Sequence, residues 1–481
     1  MILALTVAIV VGTMLGALLY GKRQARAQTV TEWAVGGRRM GTLIFWFLNA
    51  GEIYTTFAVL GISGYAWAYG APAYLAFCSV SLAAAIGYWL TPLIWAAGRD
   101  RGLITQADFF DARYGSRALS VVVAVAGIAA LVIYVQIQLT ALSVILQLSL
   151  GRPVSMMTST IAAAAMMLAF VFFAGLRSAA FAAGVKDVLM LVIVVALSAT
   201  VADKVGAASI IDLLHRAEAT HPGLTSLPGL QPEAGLDTTW LITSALNVAL
   251  GTYIFPHMFQ LCYAAKDGWT IKRNAIFQPL YSLSFFFIIL LGFGALLAQV
   301  QPPDGDLNAA LLQFVADSYP AWAVGVLAGT ACLLALVPGS VLLLAAGSIF
   351  SRNVLLPLRP AMSEKGALVA SRAATVGFAA IAVYLTLGGS RSLVDIGLMA
   401  YSSIGMLAPG VFLAFLWRRT NAAGVTAGLV VGYAVLLLPG LDGLWAFFPN
   451  WEKGLVAMAA NALTLAAVVL ATAPRVARAA G

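Results

Sequence analysis

Charge is what this 481-residue sequence has least of: only 10% of its residues are Asp, Glu, Lys or Arg, against about 25% in an ordinary soluble domain. With 62% hydrophobic residues, that scarcity excludes a water-soluble enzyme, a disordered chain and a nucleic-acid binder together. Cysteine and histidine are equally sparse, at three each. Cys78, Cys262 and Cys332 lie within or at the edge of apolar segments without CxxC spacing, and the histidines add no ligand spacing, so no metal site is encoded. The cysteines read as small core residues. The motifs of common enzymes are missing too: there is no paired-aspartate motif, HExxH, GxSxG or P-loop.

What the sequence does have is apolar length. A helix crossing a bilayer needs about 20 mainly apolar residues, and polar and Gly/Pro punctuation divides this chain into thirteen such segments. They run approximately over 2–20, 42–70, 73–97, 118–148, 154–174, 184–202, 238–262, 271–300, 321–350, 367–387, 392–417, 423–440 and 453–473. The spacing predicts a single all-α integral membrane domain over 1–481. The longest polar stretch, 203–237, holds His215 and His221 and reads as an external loop with one short amphipathic helix. In the first segment, Lys22, Arg23 and Arg26 follow the apolar run, as in an uncleaved anchor with its N-terminus outside.

The basic residues test that orientation. Lys and Arg accumulate in loops that stay cytoplasmic, and an odd number of spans starting outside ends inside. The predicted inner loops then hold 22 of the 27 basic residues, Lys186 among them, leaving Arg152, Lys204, Arg216, Arg391 and Lys453 outside. A multi-pass protein of the inner membrane with a cytoplasmic C-terminus follows. The net charge of +8 is topological and predicts no nucleic-acid partner; no obligate protein partner is evident.

Two segments are interrupted at membrane depth. Asn49-Ala50-Gly51-Glu52 is followed by Tyr54-Thr55-Thr56, and Asn247 and Gly251-Thr252-Tyr253 lead into Pro256-His257. Proline removes a helical hydrogen bond, and broken helices at matching places in two halves point to a transporter binding site. The breaks open two blocks of five spans, 42–202 and 238–417. Because five is odd, the blocks have opposite orientation, as in an inverted repeat. Segment 2–20 precedes the blocks and 423–473 follows them.

These residues carry a family resemblance. Val35-Gly36-Gly37-Arg38-Arg39-Met40-Gly41 resembles the signature before the first broken helix of sodium:solute symporters. Gly175-Leu176-Arg177 through Lys186-Asp187-Val188, Pro256-His257 with Ala264-Ala265-Lys266, and the run Leu342 to Asn353 add further matches in family order. Gly51-Glu52-Ile53-Tyr54-Thr55-Thr56, Leu336-Val337-Pro338 and Tyr253-Ile254-Phe255-Pro256-His257 most resemble the branch that includes bacterial monocarboxylate permeases. The resemblance implies a five-plus-five inverted repeat of the leucine-transporter type, with one extra N-terminal and two extra C-terminal helices.

One departure from the family bears on coupling. In sodium-coupled members a cation site is formed by backbone carbonyls at the first break, here nearest Gly51 and Tyr54, and by two consecutive hydroxyl residues on the eighth core helix. Val337 and Pro338 stand at those hydroxyl positions, and neither side chain can ligate a hard cation. A two-residue slip would bring in Ser340. The usual arginine after the second break is replaced by Leu261.

The candidate residues follow. Glu52 is the one carboxylate well inside a predicted span, and a buried charge costs several kcal/mol unless it neutralises or pairs. Asp187, after Lys186 at the inner end of the sixth span, reads either as a surface ion pair or, by the resemblance, as an ion-exit residue. Tyr134 and Gln138 share a helix face at i, i+4 spacing. Half-helix N-termini suit a carboxylate, and the cavity has no spare buried cation for a second charge. Tyr54, Thr55, Thr56, Gln138, Tyr253 and His257 are the expected contacts of a small monocarboxylate such as lactate, pyruvate, propionate or acetate. Gly51, Glu52, Tyr54 and Asp187 are the expected coupling residues.

The coupling ion is a proton or sodium, with no organic cofactor. Desolvation penalises the charged form of Glu52 in a dry cavity and entering water relieves it, so alternating access would load and release a proton with the anion. The expected function is a secondary active symporter in a lipid bilayer, with a sodium-coupled amino acid or other solute symporter as the alternative and a channel behind both.

Overall fold

The computed structural model describes residues 1–24, 35–150, 154–389 and 392–472, with side chains described throughout except at 22–24, 150 and 173–177. Of the Gly175-Leu176-Arg177 part of the family pattern only the backbone is described, and Arg26 and the arginines at 152, 391, 475 and 478 lie outside the described residues. Among the described residues there is no strand, only an isolated bridge between Met40 and Ala265.

In chain order, α1 is Ile2–Gln24. The first block follows as α2 (Thr42–Ile53), α3 (Phe57–Tyr69), α4 (Leu75–Arg101), α5 (Gln106–Tyr114), α6 (Arg117–Leu150), α7 (Met156–Phe172) and α8 (Ser178–Lys204). The amphipathic α9 (Ile210–Thr220) sits in the predicted external loop and starts where the Ser209 hydroxyl accepts the Asp212 N–H. The second block is α10 (Thr238–Thr252), α11 (Pro256–Ala264), α12 (Gly268–Leu297), α13 (Ala310–Ser318), α14 (Ala321–Ile349), α15 (Glu364–Leu387), α16 (Leu393–Gly405) and α17 (Ala408–Leu416). The chain closes with α18 (Ala422–Leu437) and α19 (Lys453–Thr472).

The apolar segments fall on helical backbone, α7 and α8 being two parts of one continuous helical run, Met156–Lys204, and the helices that begin at Thr42 and Thr238 are each broken. The sequence reading missed one bend. α16 and α17 were expected as one straight span but meet at 44°, because Pro409 at the start of α17 cannot donate into the preceding turn. The first break bends by 46° between α2 and α3.

Packing follows the rules of a bilayer, where small residues let backbones approach. On α14, a Cβ at Gly325 or Gly329 would sit 3.0 Å from Leu5 or Ile9 of α1. The other face of α1 exposes Leu3, Val7, Val11, Leu15 and Leu19 at i, i+4 spacing, a stripe suited to lipid. The centre of the molecule is α14: 94% of its most apolar stretch is buried.

Sequence motifs far apart in the chain meet at one end. Met40 N–H donates to the Ala264 carbonyl at 3.1 Å, and Lys266 N–H returns to Met40 at 2.9 Å. Gly36 and Gly37 take positive φ of 57° and 69°, conformations glycine adopts without strain, which turns Arg38 onto the Gly98 carbonyl at 2.9 Å. The Leu342 to Asn353 run ends beside α5, where Asp108 caps the helix and receives Arg352 at 2.7 Å and Asn353 at 2.8 Å.

Candidate functional site

α2 stops at Ile53, and the next residue leaves helical geometry with φ −94° and ψ 80°. A helix ending here strands its last carbonyls. Two of them, on Gly51 and Tyr54, accept hydrogen bonds from Lys186 Nζ at 2.7 and 3.0 Å. Lys186 Nζ is also 3.0 Å from Asp187 Oδ1, with both side chains fully buried. This corrects two expectations. Lys186 belongs to no inner loop, and the pair is no surface ion pair; it is enclosed between α8 and the first break. The interior beside the first break therefore does hold a buried cation, but a paired one, and Glu52 shares it with a second carboxylate.

The second break releases Tyr253 to Phe255 from the helix, and α11 restarts with Pro256 in its first turn, where the missing N–H costs nothing. Gln106 of α5 donates to the Ile254 carbonyl inside the break. His257, one residue on, points its Nε2 at Glu52 Oε2, 3.8 Å away, with both side chains almost fully buried. The two breaks thus face each other through a carboxyl and an imidazole.

Around that contact the predicted residues divide. Thr56 donates to Gln138 Oε1 at 2.9 Å, bringing two of them together at the start of α3 and on α6. Tyr134, one turn before Gln138, stacks on Phe255 at 5.2 Å and lies 6.1 Å from the His257 ring. Tyr401 closes the same aromatic wall, 5.2 Å from Phe255. Thr55 is buried and its hydroxyl accepts the Phe57 N–H. Two residues turn elsewhere. Tyr54 donates to Ser282 at 3.2 Å and packs 4.2 Å from Tyr281 on α12. Tyr253 packs so closely on α4 that a Cβ at Gly87 would sit 2.5 Å from its ring.

Buried polar atoms are as a rule hydrogen-bonded, yet among the described residues several here are not. Both Glu52 oxygens, His257 Nδ1 and Gln138 Nε2 lack a hydrogen-bond partner. They offer a compact ligand both acceptors and donors beside an aromatic wall.

The implied sodium site does not fit these residues. Its two carbonyls are held by Lys186. On α14, Val337 and Pro338 bring no oxygen in their side chains, and the Ser340 hydroxyl is bonded within its own helix to the Val337 carbonyl at 2.6 Å. No group of three or more His, Cys, Asp or Glu able to hold a metal occurs among the described residues.

Sequence reasoning missed Lys186, Phe255, Tyr401 and Ser282. Lys186 carried one usable signal: it is flanked by Ala182-Ala183-Gly184-Val185 and Val188-Leu189, which is unusual company for a loop lysine.

Comparison with known proteins agrees with this architecture. The model of the sodium:solute symporter family matches residues 33–432. An uncharacterized symporter of Bacillus subtilis, YhjB, is 31% identical over 478 residues, covering 96% of each chain. A monocarboxylate transport permease protein of Rhizobium johnstonii is 28% identical over 412 residues, 84% of this chain and 81% of that one. Among solved structures, a Na+-coupled sialic acid symporter in a substrate-bound outward-open state superposes with a TM-score of 0.76 at 15% identity, over 97% of this chain and 98% of that one. A nucleobase-cation-symport-1 family transporter, closed around bromovinylhydantoin, gives 0.61 at 13% identity, over 93% and 97%.

Proposed function

The chain belongs to the sodium:solute symporter family, and on that premise we propose that it imports a small monocarboxylate by alternating access about the two helix breaks. One observation carries the reading: Glu52, His257 and Gln138 present unpartnered polar atoms where α2/α3 and α10/α11 face each other. A carboxylate of lactate or pyruvate size can accept from Gln138 Nε2 and from the free N–H groups that begin α11, while its short apolar part meets Tyr134 and Phe255. The Rhizobium permease supports the substrate class by its name.

In this reading Thr55, Thr56, Gln138 and His257 lie at the substrate, Tyr54 and Tyr253 shape the breaks from behind, and Glu52 carries a proton with the anion so that the joint cargo is neutral. Residues 42–202 and 238–417 form the two halves that rock against each other. The protein sits in the inner membrane with its N-terminus outside. An Ala480→Cys protein should then react with an impermeant maleimide only after the cells are opened, and labelling in intact cells would reverse the topology.

The test is uptake into proteoliposomes under separately imposed sodium and proton gradients, over a panel of small acids, amino acids and sugars. Accumulation of lactate or pyruvate against their gradient is expected and would distinguish a carrier from a channel. Uptake of sugars or dicarboxylates without competition by lactate or pyruvate overturns the substrate class. The second reading, a sodium-coupled symporter of an amino acid or other solute, is favoured by the Na+-coupled structure that shares the fold, and the same panel decides it.

A further inference from the structure

Four carbonyls at the end of any helix lack intrahelical donors, and that end carries the negative pole of the helix dipole. At the end of α2 this makes a cradle for a cation. What fills it is the chain's own ammonium. Lys186 Nζ has three N–H donors and three oxygens around it: Gly51 O at 2.7 Å, Tyr54 O at 3.0 Å and Asp187 Oδ1 at 3.0 Å. The two carbonyl distances are ordinary for charge-assisted hydrogen bonds, and Asp187 Oδ1, which makes no hydrogen bond of its own, stands at ion-pair distance.

The surroundings are shaped for this occupant. A Cβ at Gly51 would fall 3.1 Å from Lys186 Nζ and 3.2 Å from the Ala183 methyl, so glycine at 51 lets the lysine come in. Asp187, the adjacent residue on α8, supplies the balancing charge. At the α14 positions where the family resemblance puts the remaining metal ligands stand Val337 and Pro338, and the Ser340 hydroxyl is already bonded to its own helix. A second cation would share the same two carbonyls with the ammonium, at a separation where like charges repel strongly in a medium of low dielectric.

We propose that Lys186 is a tethered cation that permanently occupies the cradle at the first break, so that this symporter binds its substrate with no sodium at that place. The proposal rests on the symporter reading and sharpens it, since the protein keeps the architecture of a sodium carrier while its own side chain does the work of the ion. It also accounts for Val337 and Pro338: with an ammonium in the cradle, hydroxyl ligands on α14 have nothing to bind.

Purified full-length protein tests this without any organic solute, by thermal unfolding in sodium chloride against potassium chloride of equal ionic strength. The wild type should melt at the same temperature in both. Lys186→Ala, which leaves two bare carbonyls beside the Asp187 carboxylate, should gain a saturable stabilisation specific to sodium, about 2–4 °C. Lys186→Arg, which keeps a cation in place, should remain indifferent.

Saturable sodium stabilisation of the wild type overturns the proposal, and so does a folded Lys186→Ala protein that ignores sodium, because the cradle would then be no cation site. Where Lys186→Ala cannot be purified, the wild type decides alone: indifference to sodium in a cooperatively melting protein supports the proposal, and sodium binding overturns it. A wrong substrate class leaves this assay untouched and shows itself only in the uptake panel.

Discussion

The ammonium of Lys186 lies 2.7 Å from the carbonyl oxygen of Gly51, a residue 135 positions earlier in the chain. That contact fastens α8 to the end of α2, the point where the first helix breaks. In an alternating-access carrier the break and its neighbours must change their packing, so a buried, charge-assisted bond here affects both stability and the transport cycle.

Asp187→Asn should be strongly destabilising. It removes the counter-charge of a fully buried ammonium, and breaking a buried pair from one side costs about 3–5 kcal/mol. Removing both charges, as in Lys186→Met with Asp187→Leu, should cost less than Asp187→Asn alone. Thermal melts of the wild type, Asp187→Asn and the double variant form the check; a double variant that melts below Asp187→Asn would mean that the two charges are not coupled.

Gly51→Ala should damage the same place by volume alone. The new methyl would press on Lys186 Nζ and on Ala183, and overpacking of this kind costs about 1–3 kcal/mol. A melting temperature lowered to match, with exchange of the proposed substrate slowed at least about tenfold, is expected. A variant with wild-type stability and exchange would show that the close approach is unimportant.

Gln138→Leu and Thr56→Val each remove one end of the 2.9 Å hydrogen bond between α3 and α6. Losing one buried partner costs about 1–3 kcal/mol, and where that loss falls on substrate binding the apparent KM should rise about 5- to 150-fold. Because the two residues share a bond, the double variant should be little worse than the worse single one. Strictly additive losses would place Gln138 and Thr56 in separate roles.

Glu52→Gln imitates a carboxyl that stays protonated. Exchange of substrate across the membrane should survive, while accumulation driven by an outside-acid pH gradient should disappear, since the amide can neither take up nor release a proton. Concentration of substrate by the variant in response to that gradient, or a wild type that needs sodium and ignores pH, refutes the assignment of coupling to Glu52.

Much of this was legible before any coordinates. Runs of some 20 apolar residues can only be buried in lipid, so the membrane domain and its helices follow from hydropathy. The breaks follow from local chemistry: Gly51 and Glu52 in one apolar run and Pro256 in another cannot sit in plain helix interiors without a reason. Glu52 and His257 were therefore found as residues, and the fold brought them to 3.8 Å. The bend between α16 and α17 stayed hidden because Pro409 sits among residues as apolar as any straight span.

Lys186 was placed on the wrong side of a boundary for a similar reason. Counting charges assigns a lysine at the end of an apolar run to the nearest loop, and that rule succeeds wherever the side chain can reach water. A helix that is apolar all round has no periodicity to mark its inward face, so nothing local in α8 says which way residue 186 points. That direction was set by the rotation of α8 against α2, by the absence of a Cβ at Gly51, and by two carbonyls that lack helical partners only because a different segment ends there. The sequence by itself determined that the chain lives in a bilayer and where its helices break, since those depend on local composition. Which charge meets which break is a relation between segments, and the tertiary structure alone decided it.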